Sequence, residues 1–259
     1  MGIGGWTFGP WRGVFYPKGL PQAKELAYAS EHLTSIEING TFYRLQTPAI
    51  FRKWASATPD GFVFALKGPR FVTHRHVLAE AGPSIERFLN SGVLELGDRL
   101  GPLLWQFAPT KKFEESDFSA FLAHLPKTRD GRRLRHVVEV RHESFCAPAF
   151  IALLRKFGIP VVFADHAAYP AIADLTGDVV YARLRKGRDE VPTAYSSTAL
   201  DEWARRVQEW AEGGEPADLP RVDSRKARNR PRDVFLYFIH EGKIRAPAAA
   251  MSLIGRLKM

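Results

Sequence analysis

Eight short apolar runs, each followed by a segment with helical spacing, recur along the chain, and this alternation constrains its fold more than any other feature. The runs cover residues 3–7, 35–39, 62–67, 103–107, 136–141, 161–165, 179–184 and 234–239. They are too short for helices and rich in Val, Ile and Phe, as buried parallel strands are. Between them, residues 22–33, 48–57, 84–94, 115–125, 148–157, 197–211 and 246–257 carry apolar residues at helical intervals. The segment after the sixth run, 168–175, is long enough for only one or two turns. Pro21 and Pro48 near a first turn, and Ser116-Asp117 and Ser197-Thr198 as caps, mark helix starts; Gly158 marks a helix end.

Strict alternation implies parallel strands joined by right-handed crossovers. Eight repeats in 259 residues match the count and size of an α/β fold of one type, a single (β/α)8 TIM barrel. The expectation is one domain over 1–259, with a flexible, basic, Pro- and Gly-rich insertion at about 213–232. An open doubly wound sheet is the alternative. It lacks support, because no GxGxxG follows the first run and no GxxxxGK[ST] occurs.

Composition excludes several classes. A 45% hydrophobic and 25% charged share rules out wholesale disorder, collagen and coiled coil. A lone cysteine, Cys146, leaves no internal disulfide framework and fits a reducing compartment. No basic n-region precedes an apolar h-region, and no apolar stretch approaches the ~20 residues of a spanning helix. The expectation is a cytoplasmic protein with no membrane partner. A net charge of +9 favours anionic partners.

Strand side chains alternate faces, so parity sorts the polar residues. Glu37 and Asn39 oppose Ile36 and Ile38; Lys67 shares a face with Val63 and Ala65; Glu139 and Arg141 oppose Val138 and Val140. Gln106 belongs to the fourth run, Asp165 ends the sixth, and Arg183 shares a face with Val179 and Tyr181. All lie toward the C-terminal ends of their strands, where barrels keep their chemistry. The bland alternative is an ion network that only plugs the mouth.

The segments Gly5-Trp6, Trp11-Arg12-Gly13-Val14-Phe15-Tyr16-Pro17 and Glu37-Ile38-Asn39-Gly40-Thr41-Phe42-Tyr43-Arg44 form an ordered set with later ones. Those are Phe64-Ala65-Leu66-Lys67 before Thr73-His74, then Trp105-Gln106-Phe107, Glu139-Val140-Arg141-His142 and Tyr181-Ala182-Arg183-Leu184. Together they resemble the YecE-like family, domain of unknown function 72, from residue 3 to about 211 and again at the last strand. The resemblance implies a (β/α)8 barrel and no settled activity. The chain departs from the family pattern at Ile239-His240, where two amides are usual, at Arg185, where a His is common, and at Phe145, where a Trp is common.

Three uses of these residues compete. In the first, an enzyme acts on a small anionic, phosphorylated or carboxylated ligand. Glu37 and Glu139 serve as acid and base, with Lys67 and Asp165 completing the catalytic set, Asp165 as the orienting group. Lys67, Arg141 and Arg183 hold the anion. Trp6, Asn39, Tyr43, His74, Gln106 and His142 join the binding set, His74 from the loop after the third strand and the aromatics as a stacking wall. Lys67 is also a candidate Schiff-base lysine. In the second, Glu37, Glu139 and Asp165 with His142 or His166 hold a divalent metal, and the basic loops 127–135 and 221–232 bind nucleic acid. No HxxE or HExxH spacing ties those ligands together. In the third, the chain is a non-catalytic module presenting its basic face.

Overall fold

A computed structural model describes residues 1–258. Eight parallel strands close into a barrel: β1 (Gly2–Gly4), β2 (Ser35–Ile38), β3 (Val63–Lys67), β4 (Leu100–Gln106), β5 (His136–Glu139), β6 (Val162–Asp165), β7 (Val179–Leu184) and β8 (Asp233–Phe238). Each strand pairs with its neighbours in chain order, and β8 returns to β1 through Gly2↔Tyr237 and Ile3↔Phe238. Closure between β5 and β6 rests on the single bridge Val138↔Val161, with the Val138 amide donating to Pro160 O at 3.0 Å. The expected (β/α)8 architecture is therefore present.

The alternation of side chains builds two cores. Facing inward, Ala65, Leu104, Val137, Val162, Tyr181 and Tyr237 fill the barrel. Facing outward, Ile36, Phe64, Trp105, Val138, Phe163 and Leu236 meet the helices. The longer helices are α1 (Glu25–His32), α2 (Pro48–Ser56), α3 (Gly82–Leu89), α4 (Glu115–Ala123), α5 (Pro148–Phe157), α6 (Ser197–Glu212) and α7 (Ala246–Leu257). On α6 the buried stripe Leu200, Trp203, Ala204, Val207 and Trp210 follows helical spacing and lays Trp203 and Trp210 against Phe163 of β6.

Several local expectations need correction. The helix caps are Glu114, whose carboxylate accepts from the Ser116 and Asp117 amides, and Ser196, which accepts from the Ala199 amide. Each lies one or two residues before the cap read from the sequence. Gly158 does close α5, at a left-handed φ of 70°. β1 stops at Gly4 because Gly5, at φ 74°, turns the chain out of the sheet. β4 begins three residues earlier than expected, since Gly101 and Pro102 sit at the strand start, where a register shift against β3 tolerates them.

No helix forms over 168–175. Within that stretch, Ala173 and Asp174 bond to the 213–232 segment. The Asp174 carboxylate accepts from the Val222 and Asp223 amides at 2.7 and 2.9 Å, and the Ala173 amide donates to Pro220 O. The buried Arg232 guanidinium donates to the carbonyls of Gly177, Gly213, Arg228 and Arg230. The basic insertion lacks helix and strand, yet these bonds anchor it at both ends. The other basic run, 127–135, forms a two-stranded hairpin whose turn takes Asp130 and Gly131 at positive φ. Both runs lead into strand N-termini, at the end of the barrel opposite the mouth described below.

Candidate functional site

The polar strand ends converge. Glu37 on β2 and Glu139 on β5 are fully buried, and Arg183 on β7 spans them. Its Nη2 donates to Glu37 Oε1 at 2.9 Å and its Nη1 to Glu139 Oε2. Glu37 Oε2 accepts from the Tyr181 hydroxyl at 2.7 Å and Oε1 from Asn39 Nδ2 at 3.1 Å. Arg141 continues the network, donating from Nε to Glu139 Oε1 at 2.8 Å and from Nη2 to Gln106 Oε1 at 2.6 Å. Gln106 Oε1 also accepts from Arg183 Nη1 at 2.9 Å.

This arrangement sets the charges. Burial alone would raise the Glu139 carboxyl, but the guanidiniums of Arg183 and Arg141 outweigh it and hold the group down to about 2. Burial works against the Arg183 cation as well, and Glu139 and Glu37 more than compensate, so it is a permanent cation. The same burial, reinforced by the Glu37 charge, pushes Tyr181 far above its ordinary range and fixes it as a donor.

Above this network opens a cavity of about 760 Å3 at the C-terminal end of the barrel, lined by Lys67, His74, Arg141, Arg183 and Arg185 among others. Lys67 is only 6% exposed, and among the described residues no carboxylate forms an ion pair with it. Its Nζ lies 3.9 Å from the centroid of the Phe42 ring. Burial, followed by repulsion from Arg183, lowers the ammonium to about 7, against the pull of Glu37 and Glu139. His74 packs edge-on to the same Phe42 ring, and burial plus the charge of Lys67 lowers its pKa. Across the cavity, Tyr169 lies under two guanidiniums, 4.6 Å from Arg141 and 5.5 Å from Arg185. Arg185 is 6% exposed, and its Nε and Nη1 have no hydrogen-bond partner. Lys243 lines the mouth beside Phe8, with its pKa lowered by burial.

Of the residues singled out from sequence, Asn39, Tyr43, Lys67, His74, Gln106, Arg141 and Arg183 line this cavity, with Glu37 and Glu139 directly beneath. Three do not. Trp6, carried outward by the turn at Gly5, packs edge-on to Trp54 at 5.3 Å. His142 caps the short turn Glu143–Phe145, its Nδ1 accepting from the Ser144 amide. Asp165 shares parity with the outward-facing Phe163 and pairs with Lys186 at 2.6 Å. Arg183 is therefore paired with Glu37 and Glu139, and not with Asp165.

Tyr169 and Lys243 line the cavity without any sequence signal, and Arg185 and His240, noted in the sequence only as departures from the family pattern, line it too. Arg185 carried a usable signal: it continues the inward parity of Tyr181 and Arg183 past the end of β7. The other three lie in loops with no periodicity to read. Among the described residues, no three His, Cys, Asp or Glu side chains come together in a way that could hold a metal ion. Glu37 and Glu139 are sealed under Arg183, which accounts for this. No helix among them is long and apolar enough to cross a membrane.

Comparison with known proteins agrees with the barrel. The chain is 28% identical over 150 residues to the UPF0759 protein YecE of Escherichia coli K12, covering 57% of this chain and half of that protein. It is also 28% identical over 114 residues to the UPF0759 protein YunF of Bacillus subtilis, covering 42% of this chain and 39% of the other. The matched part thus spans half or less of these curated relatives. A DUF72 family protein from Enterococcus faecalis superposes with a TM-score of 0.71 at 16% identity, covering all of this chain and 94% of that one. One from Thermotoga maritima gives 0.69 at 24% identity, covering all of this chain and 98% of the other. The family described as "Protein of unknown function DUF72" matches residues 1–259 from end to end, and the chain belongs to it.

Proposed function

We propose that the barrel mouth is the active site of an enzyme acting on a small organic anion, a carboxylate or phosphate ester. The observation that carries this reading is the cation surplus at the cavity wall. Lys67, Arg141 and Arg185 face it, while Glu37 and Glu139 are held beneath by Arg183 and Arg141. The buried Arg185 guanidinium has only Glu241 near it, at 3.9 Å, and no hydrogen-bond partner for Nε or Nη1, which is costly unless a ligand supplies the acceptor.

The residues then divide the work differently from the sequence expectation. Glu37 and Glu139 hold Arg183 and Arg141 in place and are positioning residues. Arg141 and Arg185 receive the anion, Arg with its bidentate fork. Lys67, poised near 7, is the reactive amine of the site, since its neutral form is available near the working pH. His74 lies on the same wall as the proton carrier.

Thermal denaturation in inorganic phosphate and in succinate, against sodium chloride at equal ionic strength, tests the reading. Both anions are expected to raise Tm in the unaltered protein and to lose most of that effect in Arg185→Met. No shift with either anion overturns it.

A further inference from the structure

We infer that Lys67 is a nucleophile that forms a Schiff base, and that the substrate is a carbonyl compound bearing an anionic group. The inference rests on the proposed anion site and deepens it. The cavity has two chemically different poles. At one, Arg141 and Arg185 flank Tyr169, and Arg185 presents two buried donor nitrogens without a hydrogen-bond partner, the Glu241 carboxylate standing 3.9 Å from Nε. At the other, a strand-end amine lies over the Phe42 ring, inside the cavity and without a carboxylate to hold its proton. An acid–base lysine is ordinarily hydrogen-bonded to the group it serves. Lys67 makes no side-chain hydrogen bond among the described residues, which leaves its lone pair free to attack when the proton is off. At neutral pH a large fraction of it is neutral, as nucleophilic amines require.

The step balances without a co-reactant. The neutral Lys67 Nζ adds to the carbonyl carbon, and a proton passes from that nitrogen to the carbonyl oxygen to give a carbinolamine. The C–O bond then breaks as that oxygen leaves as water, and the nitrogen becomes a protonated imine. His74, on the same wall beside Phe42, is positioned to deliver the proton that the departing hydroxyl needs. The imine cation puts a positive charge at the Lys67 end of the cavity.

Borohydride reduction tests the assignment, with pyruvate and glyceraldehyde 3-phosphate as probes and acetone as the carbonyl lacking an anion. After proteolysis and mass spectrometry, the peptide holding Lys67 is expected to gain the mass of the probe less one oxygen atom. The anionic probes should label it at least tenfold more than acetone, and inorganic phosphate should suppress the label. Lys243, the other cavity lysine with a lowered pKa, is the internal control and stays unlabelled. Arg185→Met, which leaves Lys67 intact, is expected to reduce labelling to the acetone level. Label spread over surface lysines, label on Lys243, or an unlabelled Lys67 overturns the inference. If phosphate still raises Tm in that case, the anion site stands and only the covalent step fails.

Discussion

At the scale of single residues, the mouth trades stability for reactivity, and the two ionisable groups at its centre do so with opposite signs. Lys67 falls from 10.5 to about 7 on folding. Below pH 7 the folded protein carries the buried ammonium at full cost. Between 7 and 10.5 the unfolded chain binds a proton that the folded one lacks, so stability rises with pH. Lys67→Met removes that cost and is expected to stabilise the protein at pH 6 by roughly 2–4 kcal/mol, a gain that shrinks toward pH 10. Urea midpoints at the two pH values check this, and a variant less stable than the parent at pH 6 refutes it. Glu139 goes the other way, from 4.5 to about 2. Its contribution is complete above pH 4.5 and disappears as pH falls toward 2. Glu139→Gln leaves two guanidiniums short of a counter-charge and is expected to cost about 3 kcal/mol at pH 7. The same variant should show a flatter acid limb, and an acid limb as steep as the parent's would show that Glu139 does not govern acid unfolding.

At the scale of elements, what was legible in the sequence followed periodicity. Strand positions and the inward faces of β2, β3, β5 and β7 came from alternation, so Glu37, Lys67, Glu139 and Arg183 could be read as converging. Asp165 ends its strand as the other polar residues do, but its parity with Phe163 points it outward. Trp6 is carried outward by the left-handed turn at Gly5, which composition does not distinguish from strand. Which cation pairs with which carboxylate depends on side chains from four strands meeting in space, and no local pattern encodes that. The missing helix after β6 has the same origin. Two irregular segments, 168–175 and 213–232, satisfy each other's backbone through Asp174, a residue with no sequence signature. Asp174→Ala orphans two amides, one of them fully buried, and is expected to destabilise the fold by about 2–3 kcal/mol. Because closure between β5 and β6 is a single bridge nearby, hydrogen exchange should speed up first in β6. Uniform protection across all eight strands in that variant would contradict the idea that this pair of segments replaces a helix.

At the scale of the molecule, the +9 charge separates into two ends that do different things. On the N-terminal end, much of the basic run 127–135 is neutralised: Arg129 pairs with Glu86, Arg132 with Asp98, Arg133 with Asp178 and Arg135 with Asp233. In the second run Arg221 pairs with Glu215 and Arg225 with Asp223. Lys226, Arg228 and Arg230 have no acidic partner among the described residues, and they are the groups there that a polyanion can engage freely. Their face is remote from the mouth, since they precede the N-terminus of β8 while Lys67 and Arg183 lie at C-terminal strand ends. Any binding to nucleic acid is therefore expected to be electrostatic, sequence-independent and uncoupled from the cavity. Each phosphate neutralised contributes about 0.9 to the slope of log K against log salt. Replacing Lys226, Arg228 and Arg230 by Gln should thus flatten the slope for a labelled duplex by about 3 at most. The phosphate-induced rise in Tm should be unchanged in that triple variant, and Lys67→Met should leave duplex affinity unchanged. Fluorescence anisotropy across a salt series, beside thermal denaturation in phosphate, reads both quantities on the same proteins. Loss of duplex binding in Lys67→Met would mean that the strand passes over the mouth. The cavity would then be one subsite of a polymer-binding surface, and not a pocket for a small anion.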